Sequence, residues 1–137
     1  MHFFVKKMEL TNNNRCFVCG KDNPYGLKLD FKVDNDKIKS EFALDEKFQG
    51  FKGIIHGGII ATLLDEAMVN LAYRLGINAV SANLNINLRK PAKPKEKLFL
   101  TGEIIKTDGK KIIARAELKD ANSDLIANGE GLLIKIK

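Results

Sequence analysis

The sequence predicts an α+β domain in which one long helix is wrapped by a meandering antiparallel sheet. Three observations carry this. From Gly57 to Leu75, eleven positions are Ile, Leu, Met, Val or Ala, and the run stops at Gly76. A helix apolar round most of its circumference belongs inside something. Extended runs follow at 79–89, 97–106, 110–119 and 124–137. Asp108-Gly109 between the second and third is a strong hairpin signal. The 137 residues suit one domain and are too few for two ordinary ones, so 1–137 reads as a single unit.

In chain order, residues 1–25 show no sustained periodicity and form an irregular N-terminal segment, with turn chemistry at Thr11-Asn-Asn-Asn14 and Asn23-Pro-Tyr-Gly26. Leu27, Leu29, Phe31 and Val33 then alternate with polar residues. After a turn at Asp34-Asn-Asp36, Ile38, Ser40, Phe42 and Leu44 mark a second strand of a hairpin. Asp45 to Phe48 suits a short helical turn before Gly50-Phe-Lys-Gly53 and the helix. Beyond it, Val80, Ala82, Leu84, Ile86 and Leu88 alternate along the next strand, and Asn122-Ser123 turns the chain into the last one. A sheet of this size has edges to protect, and the apolar run Leu98 to Ile105 is a candidate for covering by a second copy.

Composition excludes several classes. At 45% hydrophobic and 29% charged, the chain is neither disordered nor low-complexity. No stretch approaches the ~20 apolar residues of a membrane span. The start, Met1-His-Phe-Phe-Val-Lys-Lys7, puts its charges after the apolar patch, the reverse of a secretory signal. Two cysteines make no disulfide framework, so a reduced, cytoplasmic location is expected. The net charge of +6 favours an anionic partner or reflects only a lysine-rich surface. Five of the nine residues in Arg89-Lys90-Pro-Ala-Lys93-Pro-Lys95-Glu-Lys97 are basic. The cluster lacks interleaved aromatics, which argues against nucleic acid.

Chemistry concentrates in Ile55-His56-Gly57-Gly58, at the start of the helix, and in the acids Asp65-Glu66 within it. The first amides of a helix have no internal partner, and two glycines leave them approachable. Such an entrance can hold an oxygen that becomes negative during acyl transfer; a tight turn with close packing is the plainer reading. On the helical wheel Glu66 falls in a polar stripe with Thr62, Asn70 and Tyr73, where an acid is merely solvated. Asp65 falls about 100° away, at the edge of the buried arc. A carboxylate there is costly unless it is used or paired, which suits a general base or, alternatively, a salt bridge to a strand lysine. The single pair Cys16-x-x-Cys19 lacks the four ligands of a structural zinc site and reads as a loop turn, with no metal expected.

Cys16-x-x-Cys-Gly20, Asn23-Pro-x-Gly-Leu27, His56-Gly-Gly58, Asp65 and Pro91-Ala92 together resemble the hotdog-fold acyl-CoA thioesterases of the PaaI type. The resemblance implies a single hotdog domain, its central helix wrapped by five to six antiparallel strands. It implies hydrolysis of an acyl-CoA thioester, with Asp65 as general base or nucleophile. The Gly57 amide would polarise the carbonyl, and His56 and Gly58 would shape the same pocket. Arg89, Lys90 and Lys93 would lie near the nucleotide end of CoA, and Asn83 joins them as a substrate-binding residue. One position departs from the pattern. Where Asn or Gln commonly stands, this chain has Gly50, and Gln49 beside it is the candidate substitute. The resemblance further implies no cofactor and a homodimer or homotetramer with pockets shared between subunits. A non-hydrolysing acyl-CoA binding module is the competing reading, and a hotdog dehydratase a more distant one.

Overall fold

A computed structural model describes residues 10–136. The reading of Met1–Lys7 lies outside the described residues. The elements are β1 (Lys32–Asp34), β2 (Lys37–Ala43), a 3₁₀ turn (Glu46–Phe48), α1 (Gly57–Arg74), β3 (Ala79–Leu88), β4 (Lys97–Asp108), β5 (Lys111–Asp120) and β6 (Leu125–Lys135). The strands form one antiparallel sheet in the order β1-β2-β4-β5-β6-β3. A helix against a six-stranded sheet agrees with the predicted class.

The meander is only partial. β4, β5 and β6 follow one another, but β2 pairs with β4 and β3 pairs with β6. The helix is the reason: it carries the chain across the sheet between β2 and β3, so these two strands end on opposite sides of the β4–β6 meander. The expectation that Leu98 to Ile105 lies on an edge is therefore wrong. That run is β4, enclosed by β2 and β5, and among the described residues the free edges belong to β1 and β3. The first strand is also shorter than its pattern suggests. Leu29 and Phe31 are buried, but Leu27 and Leu29 donate their N–H groups to Phe17 and Val18 carbonyls in the N-terminal segment. Their alternation records packing, and pairing with β2 begins only at Lys32.

Helix α1 buries Ile60, Leu63, Leu64, Ala67, Met68, Leu71 and Ala72 against the sheet, at the i, i+3, i+4 spacing of a core-facing stripe. Each large aliphatic side chain so buried stabilises the fold by about 1.5–3 kcal/mol. Close approach is built into β4: a Cβ on Gly102 would stand 3.1 Å from the Ala67 carbonyl oxygen. Arg74 lies in the last turn, where its charge opposes the negative end of the helix dipole. No described helix is long and apolar enough to cross a membrane.

Candidate functional site

The helix entrance is pinned from two sides. The His56 N–H donates to the Phe48 carbonyl at 2.9 Å, and the Ile55 N–H donates to the Ala92 carbonyl at 2.8 Å. His56 caps the helix in extended conformation, and its Nδ1 accepts from the Gly58 N–H at 2.9 Å. An accepting Nδ1 places the ring proton of neutral His56 on Nε2. A Cβ on Gly58 would approach that Nδ1 to 3.0 Å, so a side chain there would press on the capping imidazole. Gly57, the first helical residue, has an amide with no acceptor among the described residues. One of the two glycine amides is thus taken by the cap, and the other stays open at the positive end of the dipole.

Two turns on, Asp65 is half-buried, and its Oδ1 is enclosed without a hydrogen-bond partner among the described residues. Burial pushes its carboxyl above the ordinary range, and the Ser81 hydroxyl beside it pulls the other way. Ser81 stands where the β3–β6 register shifts, a bulge that ends at Asn83. Bulges re-aim side chains and gather near reactive groups. No pattern in the sequence marks Ser81, because a bulge is invisible to simple alternation.

Glu66 is not solvated, contrary to its place on the wheel. It is half-buried beneath the N-terminal segment, where Cys16 Sγ donates to its Oε1 at 3.5 Å and Asn70 Nδ2 donates to its Oε2 at 3.0 Å. Burial raises its carboxyl, and hydrogen bonds from Cys19, Cys16 and Asn70 oppose that rise. The Cys19 thiol is pushed up by burial and by the Glu66 charge. The expected polar stripe is covered because the segment before β1 folds across it. Asn70, in the same stripe, is itself buried.

The remaining predicted residues divide. Gly57, Arg89 and Lys90 line a cavity of about 320 Å³ with Ile60 and Leu88. Lys90 Nζ is engaged by Asp120 at 2.6 Å and Asp124 at 3.0 Å, and Arg89 Nε donates to Asn128 Oδ1 at 3.2 Å. Lys93 is exposed, with its backbone N–H held by Glu96. Asn83 is exposed on the edge strand β3. Gln49 Oε1 accepts from the Gly53 N–H at 3.2 Å, so the amide is turned into its own loop. Gly50 packs against His56, whose Cα would stand 3.3 Å from an added Cβ.

Gly57 and Asp65 do not meet within one chain. Eight residues of helix separate them by about 12 Å, too far for one carbonyl to touch both. β3, which carries Ser81 and Asn83, is an edge strand with Leu84 and Leu88 exposed.

The description of the thioesterase superfamily matches residues 52–127. Acyl-coenzyme A thioesterase THEM4 of Bos taurus is 25% identical over 131 residues, covering 93% of this chain and 54% of that protein. Acyl-coenzyme A thioesterase 13 of Mus musculus is 31% identical over 97 residues, covering 69% of each. The chain spans about half the length of the THEM4 proteins it matches. Among solved structures, a thioesterase superfamily protein superposes with a TM-score of 0.84 at 25% identity, covering 88% of this chain and 63% of that one. A hypothetical thioesterase of Streptococcus pneumoniae, crystallised with coenzyme A, gives 0.74 at 17% identity, covering 78% and 84%, which shows the shared fold.

Proposed function

The chain belongs to the thioesterase superfamily, and from that footing we propose that it hydrolyses acyl-CoA thioesters to the free acid and CoA. The observation that supports this best is Asp65, a carboxylate with an enclosed, unpartnered Oδ1 on an otherwise apolar helix face. An acid kept there with one enclosed oxygen unpartnered fits a proton acceptor.

In this reading Asp65 takes a proton from water, and the water oxygen attacks the thioester carbonyl carbon. The carbonyl oxygen, now negative, accepts from the open Gly57 N–H. The C–S bond then breaks, and CoA leaves with the proton Asp65 had taken. Direct attack by Asp65, giving a mixed anhydride that water cleaves, is the other route open to the same residue. Because one chain holds these groups about 12 Å apart, the working site takes Gly57 from one subunit and Asp65 from another. Pairing β3 edges of two copies would cover Leu84 and Leu88 and bring Asp65 to the border. The assembly is then a homodimer, or a tetramer built from two.

The cavity beside Gly57 offers Arg89 to the nucleotide end of CoA, with Lys93 exposed farther along the same connection. Lys90 is better read as a brace for that connection, given its two carboxylate partners. One observation favours binding without turnover: Gly50 offers no side chain, and the Gln49 amide faces Gly53.

Two variants test both the activity and the sharing. Gly57→Pro removes the open N–H while keeping a residue that suits the first helical position. Asp65→Asn removes the base. On a panel of short, long and aromatic acyl-CoAs, the native protein should release thiol and each variant should be nearly inactive. Unfolded together and refolded together, the two should regain activity, since mixed dimers contain one intact site. Failure of the native protein on every acyl-CoA it binds would favour the binding module. No recovery on mixing would rule out a shared site.

A further inference from the structure

Where the N-terminal segment crosses helix α1, two thiols and a carboxylate converge. Cys16 Sγ, Cys19 Sγ and a Glu66 oxygen all lie within 4.8 Å of one another, and among the described residues no other three Cys, His, Asp or Glu donors are so gathered. From this convergence we propose that Cys16, Cys19 and Glu66 form a site for a zinc-class divalent cation.

The spacing fits. Tetrahedral coordination with zinc–sulfur bonds of about 2.3 Å and zinc–oxygen bonds of about 2.0–2.2 Å leaves donors roughly 3.5–3.8 Å apart. Cys16 Sγ and Glu66 Oε1 already stand 3.5 Å apart. Two sulfurs select zinc-like cations over magnesium or calcium, which take oxygen. The backbone brings the thiols to one side through a tight turn, closed by the Gly20 N–H on the Cys16 carbonyl at 2.9 Å.

The carboxylate is aimed by partners behind it. Asn70, 8% exposed, donates to Glu66 Oε2 and leaves Oε1 for the thiols. Arg74 Nε in turn donates to Asn70 Oδ1 at 3.0 Å, and its Nη1 donates to the Phe31 carbonyl at 3.0 Å. Such a relay fixes the orientation of a metal ligand. All three donors line a cavity of about 380 Å³, with Arg15 and Tyr73 in its wall. A water or small anion from that cavity completes four-coordination. Cation binding displaces the thiol protons and clamps the N-terminal segment to the helix. The site does not depend on thioester hydrolysis.

The test uses the whole chain, reduced and stripped with a chelator, then titrated with Co²⁺ and Zn²⁺. One equivalent of Co²⁺ should bind with thiolate-to-metal charge-transfer absorption, and Zn²⁺ should displace it. Zinc should also raise the melting temperature and protect both thiols from alkylation. Cys16→Ser and Cys19→Ser should each abolish the absorption, and Glu66→Gln should weaken binding at least about 10-fold. Three results would overturn the site: no thiolate absorption in the native protein, binding that persists in both serine variants, or thiols alkylated equally fast with and without zinc. Alkylation is read on the native protein, so the site can be refuted even if the variants fold poorly.

Discussion

Asp65 and Glu66 are neighbours on one helix, and the structure treats them oppositely. Asp65 points toward the open β3 edge with one oxygen enclosed and unpartnered. Glu66, turned by about 100°, is held by Cys16 and Asn70 and covered by the N-terminal segment. Both acids are half-buried and both are raised by burial. Burial alone therefore does not separate a reactive acid from a structural one. Partnering does: a carboxylate whose acceptor positions are filled from its own chain has little capacity left for substrate.

The strongest way to break this contrast is to substitute Asp65, the member proposed to react. Asp65→Asn keeps shape and removes the proton acceptor, so kcat should fall on the order of 10²-fold or more, while KM changes little. The measurement is thiol release from the best acyl-CoA of the panel, with the melting temperature as a folding control. A variant within a few-fold of native kcat would move the chemistry elsewhere.

The contrast is half legible in the sequence. The place of Asp65 at the edge of the buried arc follows from helix period alone, because the apolar residues around it are local. So do the limits of β4 and β5, which alternation and Asp108-Gly109 set within a residue or two. The burial of Glu66 escapes the helical wheel because its cover lies some 50 residues away. No local period reports what a loop without periodicity will lie upon. The same blindness applies to sheet order. Alternation marks strands, but whether Leu98 to Ile105 sits inside or at an edge depends on where the helix delivers β3. The Gly57 entrance is readable as an amide site, yet the division of its two amides depends on the His56 rotamer.

A second experiment probes the partnered side. Asn70→Ala removes the amide that ties Glu66 to Arg74 and leaves the half-buried Glu66 Oε2 short of its donor. The expected cost is about 1–3 kcal/mol, seen as a melting temperature lower by roughly 3–10 °C. kcat per folded site should change far less than in Asp65→Asn. Equal loss of kcat in the two variants would show that the faces act as one unit.

A third concerns what substrate meets on its way to Asp65. Arg89→Ala with Lys93→Ala should raise KM for acyl-CoA about 3-fold to 10-fold at low salt, the size expected of two partly exposed charges. The difference should shrink as salt rises. A short thioester lacking the nucleotide should be hydrolysed as before. Equal losses on both substrates would place these charges in folding rather than in recognition.

The smallest effect expected comes from a third acid, Asp120, which like Glu66 is held by partners from its own chain. It accepts from Lys90 Nζ and from the Asn122 and Asp124 N–H groups. The Lys90 hydrogen bond leads in holding its carboxyl below the ordinary 3.8, and Lys90 is raised to about 12 by Asp120 first and Asp124 second. The signs of the two linkages differ. A depressed carboxyl stabilises the fold above its unfolded value, and that contribution is lost as pH falls through the folded one. A raised ammonium stabilises below its unfolded 10.5 and loses its effect as pH rises through about 12. The stability that this pair contributes, measured by denaturant titration, should therefore hold level between these limits and fall outside both. Asp120→Asn should flatten the acid-side fall by a small amount. It should flatten part of the alkaline one too, because Lys90 keeps only Asp124. A variant that altered neither limb would mean that the Lys90 brace contributes nothing the solvent does not already supply.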